Sequence, residues 1–148
     1  MYSIFDIAEW FLNKEPMTHK KLQKLCYYAY AWYYALKGMQ LYRDTRFQAW
    51  VHGPVSPELY RNFKGNGWNE LLPSIAKPTI DKATEEVLES VWSTYGEYTG
   101  NALEALTHSE PPWIKPRFGL DSGQPCEREI SDEDVKEYYL SIYIGGEE

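Results

Sequence analysis

Cysteine, histidine and long apolar runs are all scarce in this 148-residue chain, and each shortage excludes something. The two cysteines, Cys26 and Cys126, stand too far apart for a disulfide framework or for the paired spacing of a zinc site. No stretch approaches the ~18 consecutive apolar residues that a membrane-spanning helix needs. The opening Met1-Tyr2-Ser3-Ile4-Phe5-Asp6 has no basic region, and Asp6 and Glu9 interrupt any apolar stretch, so no secretory signal is expected. Basic residues are few and dispersed. Lys20-Lys21, with His19 and Lys24 nearby, is the longest basic cluster and reads as one turn of solvated helix surface. With 15 Lys+Arg against 22 Asp+Glu the formal net charge is −7, which disfavours nucleic acid, since grip on a phosphate backbone comes largely from basic residues releasing counterions. There is no His-Glu-x-x-His, P-loop, Gly-x-Gly-x-x-Gly or Gly-x-Ser-x-Gly, so the common motifs of metal, nucleotide and acyl chemistry are missing.

What is present is apolar and aromatic: 43% hydrophobic residues, with 6 Trp and 13 Tyr. That composition excludes intrinsic disorder. The length fits one domain, 1–148, able to bury roughly 68–70% of its unfolded-chain surface. A cytoplasmic location is expected.

Helical periodicity dominates. Ile4, Ile7, Ala8, Phe11 and Leu12 form a short amphipathic helix, stopped by Asn13 and Pro16. Thr18 opens the longest pattern, through about Lys37, with Gly38 as its C-terminal stop. Its apolar stripe is Leu22, Leu25, Cys26, Ala29, Tyr33 and Leu36, and the other side carries Tyr27, Tyr28, Tyr30, Trp32 and Tyr34. Aromatics all round a helix mean either central burial or a large binding face. Leu41-Tyr42 and Phe47–Val51 read as two short strands around a polar turn, ended by Gly53-Pro54. Ser56 and Pro57 start a helix with Leu59, Tyr60 and Phe63. A loop is expected from Trp68 to Pro78. Helices follow over Asp81 to about Tyr98, from Thr99 or Asn101 through Leu106, and after Ser131. The segment Thr107–Trp113 is too proline-rich to be helical throughout, and the tail from residue 144 is expected to fray. The fold class is mainly α: a single helical domain with a small β-hairpin.

Candidate chemistry is thin. His52, His108 and a carboxylate could assemble a metal site of a small hydrolase, but imidazoles beside prolines more simply order turns through hydrogen bonds. Cys26 lies on an apolar helix face, which suits burial rather than nucleophilic work. Carboxylates such as Glu85-Glu86 and Asp132-Glu133-Asp134 stand at helix starts, where they favour the macrodipole. No cofactor or catalytic residue is indicated. The aromatic surplus instead favours a protein-binding surface, because aromatics with polar tips are enriched at interface hot spots.

Three stretches, in order, carry a resemblance: Lys20–Ala29 (KKLQKLCYYA), Phe47–Val55 (FQAWVHGPV) and Leu106–Trp113 (LTHSEPPW). Together with Tyr60 and the closing Ile130–Tyr139 segment they resemble the Panacea antitoxin domain, the SocA-like family that includes phage-associated GepA-like proteins. The resemblance implies a non-enzymatic antitoxin that neutralises a cognate toxin, commonly encoded beside it, by direct contact. It also implies, for SocA-type members, delivery of the toxin to a ClpXP-type protease. Carried over by residue, Trp50, His52, Gly53, Pro54 and Val55 match one family motif, and Thr107, His108, Pro112 and Trp113 match another. Both segments are rigid and aromatic, fit either to anchor a partner or to staple the β-element to the helices, and the second role is favoured. Partner contact is then assigned to the aromatics of the long helix, Tyr27, Tyr28, Tyr30, Trp32 and Tyr34, and to Trp68. A phage or mobile-element regulator that binds nucleic acid is the alternative.

Overall fold

One helix runs through the middle of this protein and touches almost everything else. The computed structural model describes residues 1–74 and 77–147, the side chains of 144–147 excepted. The central helix, α2 (His19–Lys37), is capped by the Thr18 hydroxyl, which accepts from Lys21 N, and is closed by Gly38 at φ 71°, a left-handed conformation suited to glycine. Against it pack α1 (Ile4–Leu12), α3 (Pro57–Phe63), α4 (Lys82–Tyr95), α5 (Gly100–His108) and α7 (Asp132–Glu147). A hairpin of β1 (Gln48–Trp50) and β2 (Gly53–Val55), a single turn, α6 (Pro111–Ile114), and two 3₁₀ turns, Lys64–Asn66 and Lys115–Arg117, complete the regular elements among the described residues. Among the described residues the architecture is mainly helical with one two-stranded antiparallel sheet.

Being surrounded, α2 needs apolar cover on all sides. Leu22, Leu25, Cys26, Tyr27, Tyr28, Ala29 and Ala31 are all fully buried. This corrects the assignment of Tyr27, Tyr28 and Tyr30 to a partner-binding face: they lie in the interior, where their rings fill the spaces between neighbouring elements. A buried phenol needs a partner for its hydroxyl, and each one has it. Tyr28 and Tyr139 both donate to Glu110 Oε1, at 2.9 and 2.8 Å, and Tyr27 meets the Tyr139 hydroxyl at 3.1 Å. Tyr30 donates to Asp132 and Tyr42 to the Cys26 carbonyl. Tyr28 also stacks on Tyr95, with centroids 4.0 Å apart. Trp32 and Tyr34 are half-buried, and the Trp32 indole donates to the Tyr95 hydroxyl.

The strand assignment also needs correction. Leu41-Tyr42 does not pair with Phe47–Val51. It forms an isolated parallel bridge with the N-terminus, through Tyr2 N to Leu41 O at 2.8 Å and Arg43 N to Tyr2 O at 3.0 Å. Burial decides this, since Leu41 and Tyr42 both cover the core. Nearby, Asp44 accepts from Ser3 Oγ and Ile4 N, reinforcing the Ser3–Asp6 capping box of α1. The true hairpin turns at Val51-His52, so Gly53-Pro54 opens the second strand rather than ending the first. Ala49 faces Pro54, and its own backbone groups point away from β2: its N–H donates to Arg128 O and its carbonyl accepts from Arg117. The missing N–H of proline therefore leaves no gap in the ladder.

Elsewhere the pattern and the structure agree, except that α4 stops at Tyr95 rather than at about Tyr98. Gly96 ends α4, Thr99 caps α5, and the chain breaks at Ser109-Glu110 between α5 and α6. The loop expected over Trp68–Pro78 includes Ile75 and Ala76, which lie outside the described residues, as does Glu148. α7 is helical as far as Glu147, past residue 144, from which fraying was expected.

Glu110 sets a pH dependence. Burial raises its carboxyl to about 7 from 4.5, against the two tyrosine hydroxyls that favour the ionised form. For an acid raised in the folded state, the stabilising neutral form is complete below 4.5, and stability is lost as pH rises from 4.5 to 7. Glu110→Gln keeps an acceptor for both phenols and removes the titration. Denaturant unfolding should show wild type losing about 3 kcal/mol relative to Glu110→Gln across that window. Parallel pH profiles would refute the assignment.

Candidate functional site

The hairpin is too short to hold itself, and four side chains from three elements fix it. From α2, the Gln23 amide grips Ser56 twice: Ser56 N donates to Oε1 at 2.9 Å, and Nε2 donates to Ser56 O at 3.1 Å. One residue on, Lys24 donates from Nζ to Pro54 O at 3.1 Å. From α6, the Trp113 indole donates to Trp50 O at 2.7 Å. From the 3₁₀ turn Lys115–Arg117, the buried Arg117 guanidinium donates to Ala49 O at 2.7 Å and to the carbonyls of Asp121, Ser122 and Gln124. It also lies 4.9 Å from the Trp113 ring centroid, while His108 stacks on Trp113 at 4.1 Å.

The two motifs carried by the resemblance thus meet in space. Thr107 is fully buried and donates to Glu104 O. A Cβ placed on Gly53 would come within 3.0 Å of Thr107 Oγ1 and 2.7 Å of Lys24 Cε, and Gly53 has φ 104°. Space and backbone conformation both require glycine there. Pro54 and Val55 are buried beside it, and Pro112 is buried next to Trp113. Trp50 is half-buried and stands edge-on to Tyr60, with centroids 5.0 Å apart. His52 alone among these residues projects outward, its side chain 74% exposed, with Nδ1 3.3 Å from Glu104 Oε2.

Beside the hairpin lies a cleft of about 470 Å³. Its helical wall is His19, Lys20, Gln23 and Lys24, its hairpin wall Trp50, His52 and Val55, and its outer wall Tyr60, Lys64, Gly67 and Trp68. Trp68 is 76% exposed and carries the Lys20 ammonium 5.9 Å from its ring centroid. Lys20 also pairs with Glu104. Burial tends to raise the Glu104 carboxyl, but Lys20 and His52 hold it below the usual range. Burial, with help from Lys24, drives the His19 imidazole down to about 4. Lys24 is 1% exposed, and burial lowers its ammonium to about 7 against the pull of Glu104.

Lys24 corrects the reading of the basic cluster as solvated surface. The signal was available: Lys24 shares a helical stripe with Tyr27, Tyr28, Ala31 and Ala35, all of them buried. The bond from Arg117 to Ala49 O had no such signal, because that carbonyl lies 68 residues away along the chain. Trp32 and Tyr34 lie outside this cleft, and Trp68 forms part of its rim. Among the described residues, no group of three or more His, Cys, Asp or Glu side chains is placed to hold a metal ion. No helix among them is long and apolar enough to cross a membrane.

Two outcomes follow. Gly53→Ala forces a positive φ on alanine and a clash with Lys24, and should lower unfolding free energy by at least about 2 kcal/mol. An unchanged melting temperature would contradict the packing. For Lys24, a base lowered in the folded state, the penalty is complete below pH 7 and is relieved as pH rises to 10.5. Lys24→Met should flatten that rise in stability, measured by denaturant unfolding between the two values. A persisting rise would assign it to other groups.

The comparison with known proteins falls on this same body. The family described as antitoxin SocA-like, Panacea domain, matches residues 22–114, from the first turns of α2 through the hairpin to the end of α6. The chain is 33% identical over 137 residues to antitoxin SocA of Caulobacter vibrioides (strain NA1000 / CB15N), covering 84% of this chain and 72% of that protein. No solved structure matches it. A match that takes in most of α2, both motif segments and most of the cleft's lining is a match to the structural centre, and the chain belongs to the SocA-like antitoxin family with a Panacea domain.

Proposed function

We propose that this protein neutralises one cognate toxin, the product of a neighbouring gene, by direct protein–protein contact. The observation that carries the reading is family membership across the segment that builds the hairpin platform. The physical character of that platform supports it. Its backbone is clamped by Gln23, Lys24, Trp113 and Arg117, so little conformational freedom remains to be lost on binding. Around it stand exposed aromatics, Trp68 and Phe118, of a kind that anchors interfaces.

Co-expression with the neighbouring gene tests the proposal. The expected outcome is restored growth together with a complex recovered on affinity purification. Restored growth with a complex recovered only in a protease-deficient strain would assign the neutralisation to delivery to a ClpXP-type protease. Neither rescue nor complex would refute the proposal.

A further inference from the structure

The cleft beside the hairpin has a charge pattern opposite to that of the chain. The protein carries a formal net charge of −7, yet the ionisable side chains lining the cleft besides Tyr60 are His19, Lys20, Lys24, His52 and Lys64, with no Asp or Glu among them. Lys24 is the decisive one. It lies at the bottom of the cleft, 1% exposed, and among the described residues it has one hydrogen bond, to a neutral carbonyl, and no ion pair. An ammonium has three donors, and a buried charge without a counter-charge is unfavourable. Glu104, whose charge acts on Lys24 from a distance, is already paired with Lys20, so among the described residues Lys24 and the exposed Lys64 have no ion pair. The walls are Trp50, Tyr60 and Trp68, planar surfaces suited to the aliphatic parts of a side chain or a peptide backbone.

We propose that this cleft receives an acidic peptide segment of the toxin, with one carboxylate directed at Lys24, a second at Lys64, and the intervening chain held against Trp68 and Tyr60. The proposal rests on the antitoxin reading and deepens it by placing the contact. Charge complementarity selects the occupant: an acidic segment supplies the counter-charges that the cleft lacks. A nucleic-acid backbone would have to approach through the field of a strongly acidic protein.

The test uses the full chain and the purified product of the neighbouring gene. Affinity is measured for wild type, Lys64→Glu, Trp68→Ala and Lys24→Met, from about 50 to about 300 mM NaCl. Lys82→Glu, which makes the same change in net charge on α4, away from the cleft, is the control. Lys64 and Trp68 are exposed, so their replacement leaves the core intact even if Lys24→Met fails to fold. The expected result is a loss of about tenfold or more for each cleft variant, less than about twofold for Lys82→Glu, and a shallower salt dependence for Lys64→Glu.

A wild-type complex that no cleft variant weakens would place the toxin on another face, overturning this proposal and leaving the antitoxin reading intact. Equal losses for Lys64→Glu and Lys82→Glu would reduce the effect to the overall field and overturn it too. So would a salt-independent loss confined to Trp68→Ala, which would indicate an apolar ligand. Retardation of labelled DNA or RNA by wild type but not by Lys64→Glu would give the cleft to nucleic acid instead. If wild type neither binds the toxin nor restores growth, the antitoxin reading fails and the proposal falls with it.

Discussion

A helix enclosed on every side must satisfy its polar tips from within the protein, and α2 imposes that condition on everything around it. Its tyrosines bring large apolar rings into the core together with hydroxyls that water cannot reach. Glu110 answers Tyr28 of α2 and Tyr139 of α7 with a single carboxylate oxygen, and the Tyr139 hydroxyl in turn meets that of Tyr27. The buried acid is therefore a structural acceptor, located at the break between α5 and α6 because the chain must turn inward there to deliver it. An acceptor of this kind specifies where α6 and α7 sit more sharply than apolar contact can, since hydrogen bonds are directional and burial is not.

The hairpin follows a related rule. Three residues a side give a ladder too small to persist alone. Its stability comes from groups normally found on surfaces, Gln23, Lys24 and Arg117, turned inward to hold backbone carbonyls and amides. Arg117 is well suited to this, because its planar fork of donors reaches four carbonyls at once. The consequence is a rigid platform whose outer surface, including His52 and the rim at Trp68, is free to vary in chemistry without loosening the inner clamps. A domain that meets a protein partner benefits from that separation between what holds its fold and what faces outward.

Much of this was legible in the chain. The ends of α2 were fixed by Thr18 and Gly38, and the start of α5 and the break before α6 by Thr99 and the prolines at 111 and 112, because caps and breakers act within a few residues. Helical periodicity located the buried stripe. The ordered motifs around Trp50 and Trp113 pointed to the family. What the pattern could not decide was which of two apolar segments would pair with Phe47–Val51. Leu41-Tyr42 and Gly53-Val55 were both available, and the choice depended on Leu41 and Tyr42 being needed over the core.

Periodicity, capping and turn chemistry are local, and they specify a mainly helical domain organised on one aromatic helix. Tertiary structure alone decided the fate of individual polar groups. It turned Tyr27 and Tyr28 inward, buried Lys24 under the hairpin, and joined Arg117 to Ala49 and Glu110 to Tyr139. The reason is that a buried donor or acceptor is satisfied by whatever the fold brings within about 3 Å of it, and that distance bears no relation to separation along the chain.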